Sequence, residues 1–285
     1  MAKKFIIITT ARSGSQMLVE FLNKQKNIRC EDELLQMDKE EKFKNLIRRL
    51  PNINLTSTFR NLIGEKPSRF VENRNKNFRE YLEIWENAIP SKYFGFKIFF
   101  KNHIDNKLFG SEKRITQDSF LTYIKQNDIS IIHLTRDNML LKYISEQVSR
   151  ITKVWTSIKS DHQNTDLVKV EILYGKFKHF RNTRLEEDQS VTDFCYQNDI
   201  KYYHTTYENL TGENYAHHYK SILEFLGEDP TIFVDINNTY NQKNKQNTFI
   251  PIECRVSNLD ELVEKATKAN NTEILEDIKR NLSKS

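Results

Sequence analysis

Cysteine is scarce in this chain, and the few cysteines present are poorly placed to form disulfides or bind metal. Only three of the 285 residues are cysteine, and Cys30, Cys195 and Cys254 lie far apart, with no CxxC pair or other metal-ligand spacing. An odd number of widely separated cysteines implies neither a disulfide framework nor a zinc site. We therefore expect reduced thiols, no bound metal and a cytoplasmic location.

The sequence also lacks a long hydrophobic run and a basic arm. Its first apolar stretch begins at Phe5 and is too short for the full pattern of a signal peptide or for a membrane span. We expect no transmembrane segment. The net charge is +5, but positive and negative residues are interspersed along the chain. This distribution does not predict a nucleic-acid partner, and a mild positive balance suits a multiply charged small ligand.

The nucleotide-triphosphate signature GxxxxGK[ST] is absent as well. Instead, residues 5–22 read FIIITTARSGSQMLVEFL: an apolar strand, a polar turn with one glycine, and an amphipathic helix. Such a turn points free backbone N–H groups and the positive end of the helix dipole at one spot. An anion is expected there, because Gly14 permits close approach and Ser13 and Ser15 offer hydroxyl groups. The alternative is an ordinary serine-capped helix start.

A similar loop occurs in one enzyme family. The pattern strand, [T/P]-x-[R/K]-S-G-[S/T]-x-x-L, helix resembles the 5′-phosphosulfate loop of sulfotransferases that use 3′-phosphoadenosine 5′-phosphosulfate (PAPS) as donor. Gln16 stands where many relatives have serine or threonine, so an amide replaces one hydroxyl contact. The resemblance implies that the donor is bound here by Arg12, Ser13, Gly14, Ser15, Gln16 and Met17.

A second strand, turn and helix occupy residues 129–150, ISIIHLTRDNMLLKYISEQVSR. In the family, an arginine just past such a strand and a serine in the following helix hold the 3′-phosphate of the donor. Arg136 and Ser145 stand in those places, and Ser145 lies about two turns into a helix that starts near Asn138. The planar fork of arginine suits bidentate binding of phosphate. The alternative is a local surface ion pair between Arg136 and Asp137.

Further family elements follow in the same order. Residues 202–210, YYHTTYENL, resemble a strand and turn in which Tyr207 and Glu208 are expected to be structural rather than catalytic. Late in the chain, a loop with Lys243 and Lys245 precedes a helix start that reads NLDEL. The two lysines either close over the donor nucleotide or belong to a solvated charged loop. The resemblance spans nearly the whole chain.

The resemblance also implies catalytic roles. The family commonly has a lysine just before Ser-Gly, so Arg12 is expected to stabilise the leaving phosphate. Residues 30–35, CEDELL, resemble a segment in which a glutamate is the base, and Glu33 is our candidate. His103, after the strand FGFKIFFKNH, is the competing base. Lys97 is expected to neutralise the sulfuryl oxygens, unless it only caps a buried carboxylate.

The element order predicts an α/β fold with a central parallel β-sheet flanked by helices. Both phosphate loops then lie at the carboxyl edge of the sheet, where open α/β sheets bind ligands. We expect a single domain over residues 1–285, with residues 36–90 forming a helical insertion or lid beside the acceptor. Short apolar runs predict strands at 5–10, 93–100, 130–135 and 202–206. Helices are predicted at 17–24, 116–126, 138–150, 167–197, 215–226, 259–269 and 273–282.

These patterns predict an enzyme that moves a sulfuryl group from PAPS to a hydroxyl of a small-molecule or glycan acceptor. The glutamate-containing branch of the family favours a carbohydrate or glycolipid. Two other classes stay open. One is a P-loop kinase or NTPase, which would require the GK[ST] lysine and a magnesium-binding carboxylate. The other is a non-catalytic nucleotide-binding protein on the same fold.

Overall fold

A five-stranded parallel sheet forms the centre of the protein, as the sequence predicted. The structure is a computed structural model, and it describes residues 2–34, 78–88, 91–105, 115–154, 168–235 and 251–282. The strands are β1 (Lys3–Thr9), β2 (Ile28–Glu31), β3 (Tyr93–Phe99), β4 (Ile104–Asp105), β5 (Ile115–Thr116), β6 (Ser130–Thr135) and β7 (Tyr202–Thr206). The sheet order is β2-β3-β1-β6-β7, and the two short strands β4 and β5 pair separately.

Helices cover the sheet and connect its strands. In the described residues they are α1 (Ser15–Lys24), α2 (Phe78–Ala88), α3 (Phe100–His103), α4 (Gln117–Gln126), α5 (Met139–Thr152), α6 (Tyr174–Gln197), α7 (Tyr207–Thr211), α8 (Tyr215–Leu226), α9 (Ile252–Arg255), α10 (Leu259–Lys268) and α11 (Thr272–Leu282). A short 3₁₀ turn spans Pro230–Ile232. None of the helices in the described residues is both long and apolar enough to cross a membrane.

The central strands are apolar on both faces because helices cover both. In β1, Ile6 and Ile8 pack against α2, α4 and α6. Phe5 and Ile7 point the other way and pack against α1 and α8. A continuous apolar run such as this is typical of strands buried in a parallel sheet. Gly95 of β3 provides room for the ring of Phe5, since a Cβ there would lie 2.3 Å from it.

Strand β2 is an element that the sequence analysis missed. It has only four residues, IRCE, and pairs in parallel with β3 at the sheet edge. The side chain of Asn23, near the end of α1, holds this edge strand by two hydrogen bonds to the backbone of Cys30, at 2.7 and 2.9 Å. The strand is therefore fixed by contacts that are not visible in its own short sequence.

The helix predicted over 167–197 begins later than expected, at Tyr174. Val170 instead forms a parallel bridge with Val256, and the side chain of Asn258 bonds the backbone of Ile172 in both directions. This extended pairing with a distant segment overrides the local helical pattern. The other six predicted helices and the four predicted strands are confirmed with small shifts of their ends. Of the lid expected over residues 36–90, residues 36–77 and 89–90 lie outside the described residues, and the extent of the domain stays a prediction.

Candidate functional site

The loop between β1 and α1 closes tightly around Gly14. Gly14 caps the helix with a left-handed φ of 78°, and a Cβ at this position would lie 2.3 Å from the ring of Tyr207. Ser13 is fully buried, and its hydroxyl lies 3.2 Å from Thr10 Oγ1. Ser13 therefore braces the loop from inside, whereas the sequence analysis gave it contact with the donor.

The backbone amides at the start of α1 offer an anion site, with one exception. The first amides of a helix have no acceptor within the helix, and the helix dipole adds partial positive charge there. The amide of Met17, however, donates to the carbonyl of Gly14 at 3.0 Å. The amides that precede Met17, rather than that of Met17 itself, are thus the ones placed to bind phosphate oxygens.

Replacing Gly14 by alanine should weaken donor binding by about tenfold or more. The left-handed backbone costs a residue with a Cβ about 1–2 kcal/mol, and the ring of Tyr207 would also have to move. Gly175→Ala is the matched control, because a Cβ there has nothing within 4 Å. Calorimetric titration with the 3′,5′-bisphosphate product of the donor compares the two variants. Equal affinity in both variants would contradict this account of the loop.

Two arginines from the two predicted phosphate loops lie side by side. Arg12, with a left-handed φ of 63°, donates from Nε to Ser145 Oγ at 2.8 Å. Arg136 donates from Nη1 to the carbonyl oxygen of Arg12 at 3.1 Å. The structure thus brings Arg12, Arg136 and Ser145 together, although the hydroxyl of Ser145 bonds Arg12 rather than Arg136.

The electrostatics of this pair favour an anion. Burial lowers the pKa of Arg12, and the neighbouring charge of Arg136 lowers this pKa further. Burial also lowers the pKa of Arg136, whose guanidinium stacks 4.6 Å from the centre of the Tyr207 ring. Both groups stay charged at neutral pH. The Nε of Arg136 is buried and has no hydrogen-bond partner in the described residues. A bound anion would supply the missing acceptor.

The loop that carries Arg136 is fixed by Glu208. The carboxylate of Glu208 accepts hydrogen bonds from the backbone amides of Asp137 and Asn138, at 3.0 and 3.1 Å. The side chain of Asn138 then caps α5 by accepting from the amide of Leu141 at 3.0 Å. Asp137 and Arg136, both within the described residues, form no ion pair within 4 Å, so the alternative of a local surface pair does not describe this turn. These contacts suit the structural role expected for Glu208 and Tyr207.

A carboxylate cluster lies at the end of β2. The ammonium of Lys97, on β3, contacts Glu33 Oε1 at 2.6 Å and Asp32 Oδ1 at 2.7 Å. The side chain of Lys97 is 4% exposed and that of Glu33 is 13% exposed. Glu33 has a left-handed φ of 46°, an unfavourable conformation for a residue with a Cβ and one that often marks functional positions.

Helix α1 adds a further acid to this cluster. Gln16 donates from Nε2 to Glu20 Oε1 at 3.3 Å, so its side chain runs along the helix. Burial raises the pKa of Glu20; the hydrogen bond from Gln16 and the charge of Lys24 oppose this effect, and the negative charge of Asp32 adds to it. The donor contact expected of the Gln16 amide group would require this side chain to turn away from Glu20.

Three of the expected site residues cannot be placed by their side chains. His103 ends α3, and only its backbone is described. Lys243 and Lys245 lie outside the described residues. Their roles stay predictions. No group of three His, Cys, Asp or Glu side chains in the described ranges is arranged to hold a metal ion.

Lys142 contacts the loop after β1, and the sequence analysis did not single it out. Its side chain is fully buried within α5 and donates from Nζ to Thr10 Oγ1 at 2.6 Å. Burial lowers the pKa of this ammonium to about 8. A lysine in an amphipathic helix ordinarily indicates the solvated face. The available signal was its position, three residues before Ser145 and close to the apolar residues Leu140 and Ile144.

The family comparison agrees with the sequence resemblance. No curated protein matched the sequence. A sulfotransferase domain from the curacin biosynthetic pathway is similar in structure, with a TM-score of 0.45 at 11% identity, covering 93% of this chain and 97% of that domain. Mouse sulfotransferase SULT7A1 complexed with PAP has a TM-score of 0.41 at 13% identity, covering 99% of this chain and 89% of SULT7A1. The family model "Stf0 sulphotransferase" matches residues 4–249. Because that match covers most of the chain, the protein belongs to the Stf0 sulfotransferase family of PAPS-dependent enzymes.

Proposed function

We propose that the enzyme transfers a sulfuryl group from PAPS to a hydroxyl of a carbohydrate or glycolipid acceptor. Family membership supports sulfuryl transfer. The observation that carries the choice of donor is the guanidinium of Arg136, which contacts the backbone of Arg12 and whose Nε is buried without a hydrogen-bond partner in the described residues. The charge of Glu208 offsets part of the cost of burying Arg136, and a bound anion would offset more of it. A 3′-phosphate is such an anion and distinguishes PAPS from ATP-like nucleotides.

The donor would be held at both of its phosphate positions. Arg136 and Ser145 would hold the 3′-phosphate, as the family pattern implies. The amides that precede Met17 would hold the 5′-phosphosulfate, with Gly14 allowing close approach. Arg12 belongs to the phosphosulfate loop and contacts both residues of the 3′-phosphate position, Ser145 through its side chain and Arg136 through its carbonyl oxygen. Closure of Lys243 and Lys245 over the nucleotide remains part of this proposal.

The reaction exchanges one bond to sulfur for another. The acceptor oxygen attacks sulfur, and the bond between sulfur and the bridging phosphate oxygen breaks. The acceptor proton passes to a base, and the 5′-phosphate leaves with an added negative charge. Alignment and charge stabilisation supply most of the catalysis in such transfers. Arg12 would stabilise the leaving phosphate, and because arginine does not release its proton, it acts there as a fixed charge.

Glu33 is the base in this proposal. Its carboxylate lies 2.6 Å from the ammonium of Lys97, which fixes its orientation. Lys97 also forms an ion pair with Asp32. We infer that Lys97 positions Glu33, because Lys97 would have to leave one of these carboxylates to contact the sulfuryl oxygens. This favours the carboxylate-capping role that the sequence left open. His103 is the competing base.

The charge around Glu33 bears on the acceptor. The ammonium of Lys97 contacts two carboxylates, those of Asp32 and Glu33. Glu20 of α1 adds a further negative charge near Asp32, and Lys24 partly offsets this charge. A surplus of negative charge disfavours an anionic acceptor. An uncharged sugar hydroxyl fits better than the hydroxyl of an acidic or already sulfated glycan. A cytoplasmic enzyme that acts on a small molecule or glycan, and not on nucleic acid, is part of the same proposal.

Transfer of radiolabelled sulfate from PAPS tests this assignment. Neutral disaccharides and a neutral glycolipid should become labelled, and sulfated or uronic-acid glycans should react more slowly by about tenfold or more, because repulsion raises their free energy at the site. A phenol serves as the comparison acceptor. Labelling of the phenol alone, or faster labelling of the acidic glycans, would overturn the acceptor proposal. Tight donor binding with no transfer to any of them would favour a non-catalytic protein.

A further inference from the structure

A buried ammonium lies directly behind the phosphosulfate loop. Lys142 has no exposed surface, and its Nζ donates to Thr10 Oγ1 at 2.6 Å. Thr10 Oγ1 in turn lies 3.2 Å from Ser13 Oγ. These three side chains connect α5 to the inside of the loop that begins α1.

The hydrogen bonds along this connection have a direction. An ammonium can only donate, so Thr10 accepts from Lys142, and the single proton of the Thr10 hydroxyl is then available for Ser13. Because Ser13 is fully buried, this chain of contacts ends inside the loop. Lys142 therefore contacts the loop from its buried side rather than from the side open to a ligand.

The ammonium of Lys142 has little compensation in its surroundings. In the described part of the chain it makes one hydrogen bond, to Thr10, and no ion pair within 4 Å. Asp188 and Glu187 of α6 attract it, whereas Arg184 and Arg136 repel it. Arg184 is itself paired with Glu187 and Glu146, and Asp188 Oδ1 lies 3.6 Å from His133 Nε2. A buried cation in this setting gains from an added anion nearby.

We propose that Lys142 is a positioning residue for the donor, which holds the Thr10–Ser13 side of the loop and supplies its charge to the bound phosphosulfate. This inference rests on the proposed function. It predicts that binding of the nucleotide takes up a proton in mildly alkaline solution. The same coupling makes the affinity fall as the pH rises.

The direction of the pH effect follows from the free protein. Burial lowers the pKa of Lys142 to about 8, and the charges of Arg184 and Arg136 also lower it, against the attraction of Asp188 and Glu187. Lys142 is then mostly charged at about pH 7 and mostly neutral at about pH 9.5. An anion in the loop favours the charged form and raises the pKa in the complex. The phosphate groups of the nucleotide, with a second pKa of about 6, are already ionised in this range.

Calorimetry with 3′-phosphoadenosine 5′-phosphate (PAP) tests the proposal. At about pH 8.7, titrations in two buffers of different ionisation enthalpy should show uptake of about half a proton, and Kd should rise about fivefold or more between about pH 7 and 9.5. K142R keeps the charge, so it should bind without proton uptake and with little pH dependence. K142M should bind weakly at both pH values. Lys178→Met, an exposed position on α6, is the control and should match the wild type.

The possible failures are distinguishable. Tight PAP binding by the wild type without proton uptake, together with unchanged affinity in K142M, would overturn this inference alone. No PAP binding by the wild type would overturn the proposed function and this inference with it. If K142M does not fold, the comparison of proton uptake between the wild type and K142R still tests the proposal. A purely structural lysine would leave the proton uptake at zero.

Discussion

Replacing Arg136 by alanine is expected to abolish the preference of the enzyme for PAP over AMP. The two nucleotides differ only in the 3′-phosphate, so the ratio of their dissociation constants isolates that contact. Loss of a charge-assisted bidentate contact costs on the order of 2 kcal/mol, which corresponds to about thirtyfold. Calorimetric titration of both nucleotides should show a ratio of about thirty in the wild type and near one in Arg136→Ala.

Arg150→Ala is the matched control for this experiment. Arg150 lies on α5, has a side chain that is 62% exposed, and is paired with Glu146. Its loss should leave the ratio unchanged. Arg136→Lys should keep part of the preference, because lysine supplies the charge without the planar fork. A ratio that stays at about thirty in Arg136→Ala would show that another group binds the 3′-phosphate.

Replacing Glu33 by glutamine should lower kcat by about 10²–10⁴-fold, the range that general-base catalysis contributes. Glutamine preserves the size of the side chain and its contact with Lys97, but it cannot take the acceptor proton. The affinity for PAP should stay within about twofold, since Glu33 belongs to the carboxylate cluster and not to the phosphate loops. Steady-state transfer assays and PAP titration measure the two effects separately.

Two further variants test whether Glu33, rather than Asp32 or His103, is the base. Asp32→Asn removes the other carboxylate partner of Lys97 and should reduce kcat less, about tenfold or below, because it disturbs only the position of Glu33. His103→Ala should have a small effect. If Glu33→Gln retains activity and His103→Ala loses it, His103 is the base and the assignment of Glu33 is wrong.

The sequence predicted the parts of the fold and site that local pattern determines. The apolar runs of β1 and β6 and the helices that follow them were visible directly, since both lie in continuous strand-turn-helix segments. Arg136 and Ser145 could be proposed as donor-binding residues because the family spacing falls within one such segment. The proximity of Arg12 to both residues follows from the pairing of β1 with β6, which the predicted parallel sheet made possible.

Contacts between distant segments could not be predicted in this way. Nothing in the sequence near Glu208 indicates that it binds the amides of the loop after β6. The buried position of Lys142 depends on how α5 lies against the loop at Thr10. The edge strand β2 is held by Asn23 and by pairing with β3. Each of these depends on three-dimensional packing rather than on local preference.

The measurement that tests the central claim most directly is calorimetric titration of the wild-type enzyme with PAP, AMP and ATP. The account predicts that PAP binds about thirtyfold more tightly than AMP, because its 3′-phosphate meets the guanidinium group of Arg136, and that ATP binds more weakly than PAP. Equal affinity for PAP and AMP, or tighter binding of ATP, would contradict the claim that Arg136 and Ser145 form the 3′-phosphate site of a PAPS-dependent sulfotransferase.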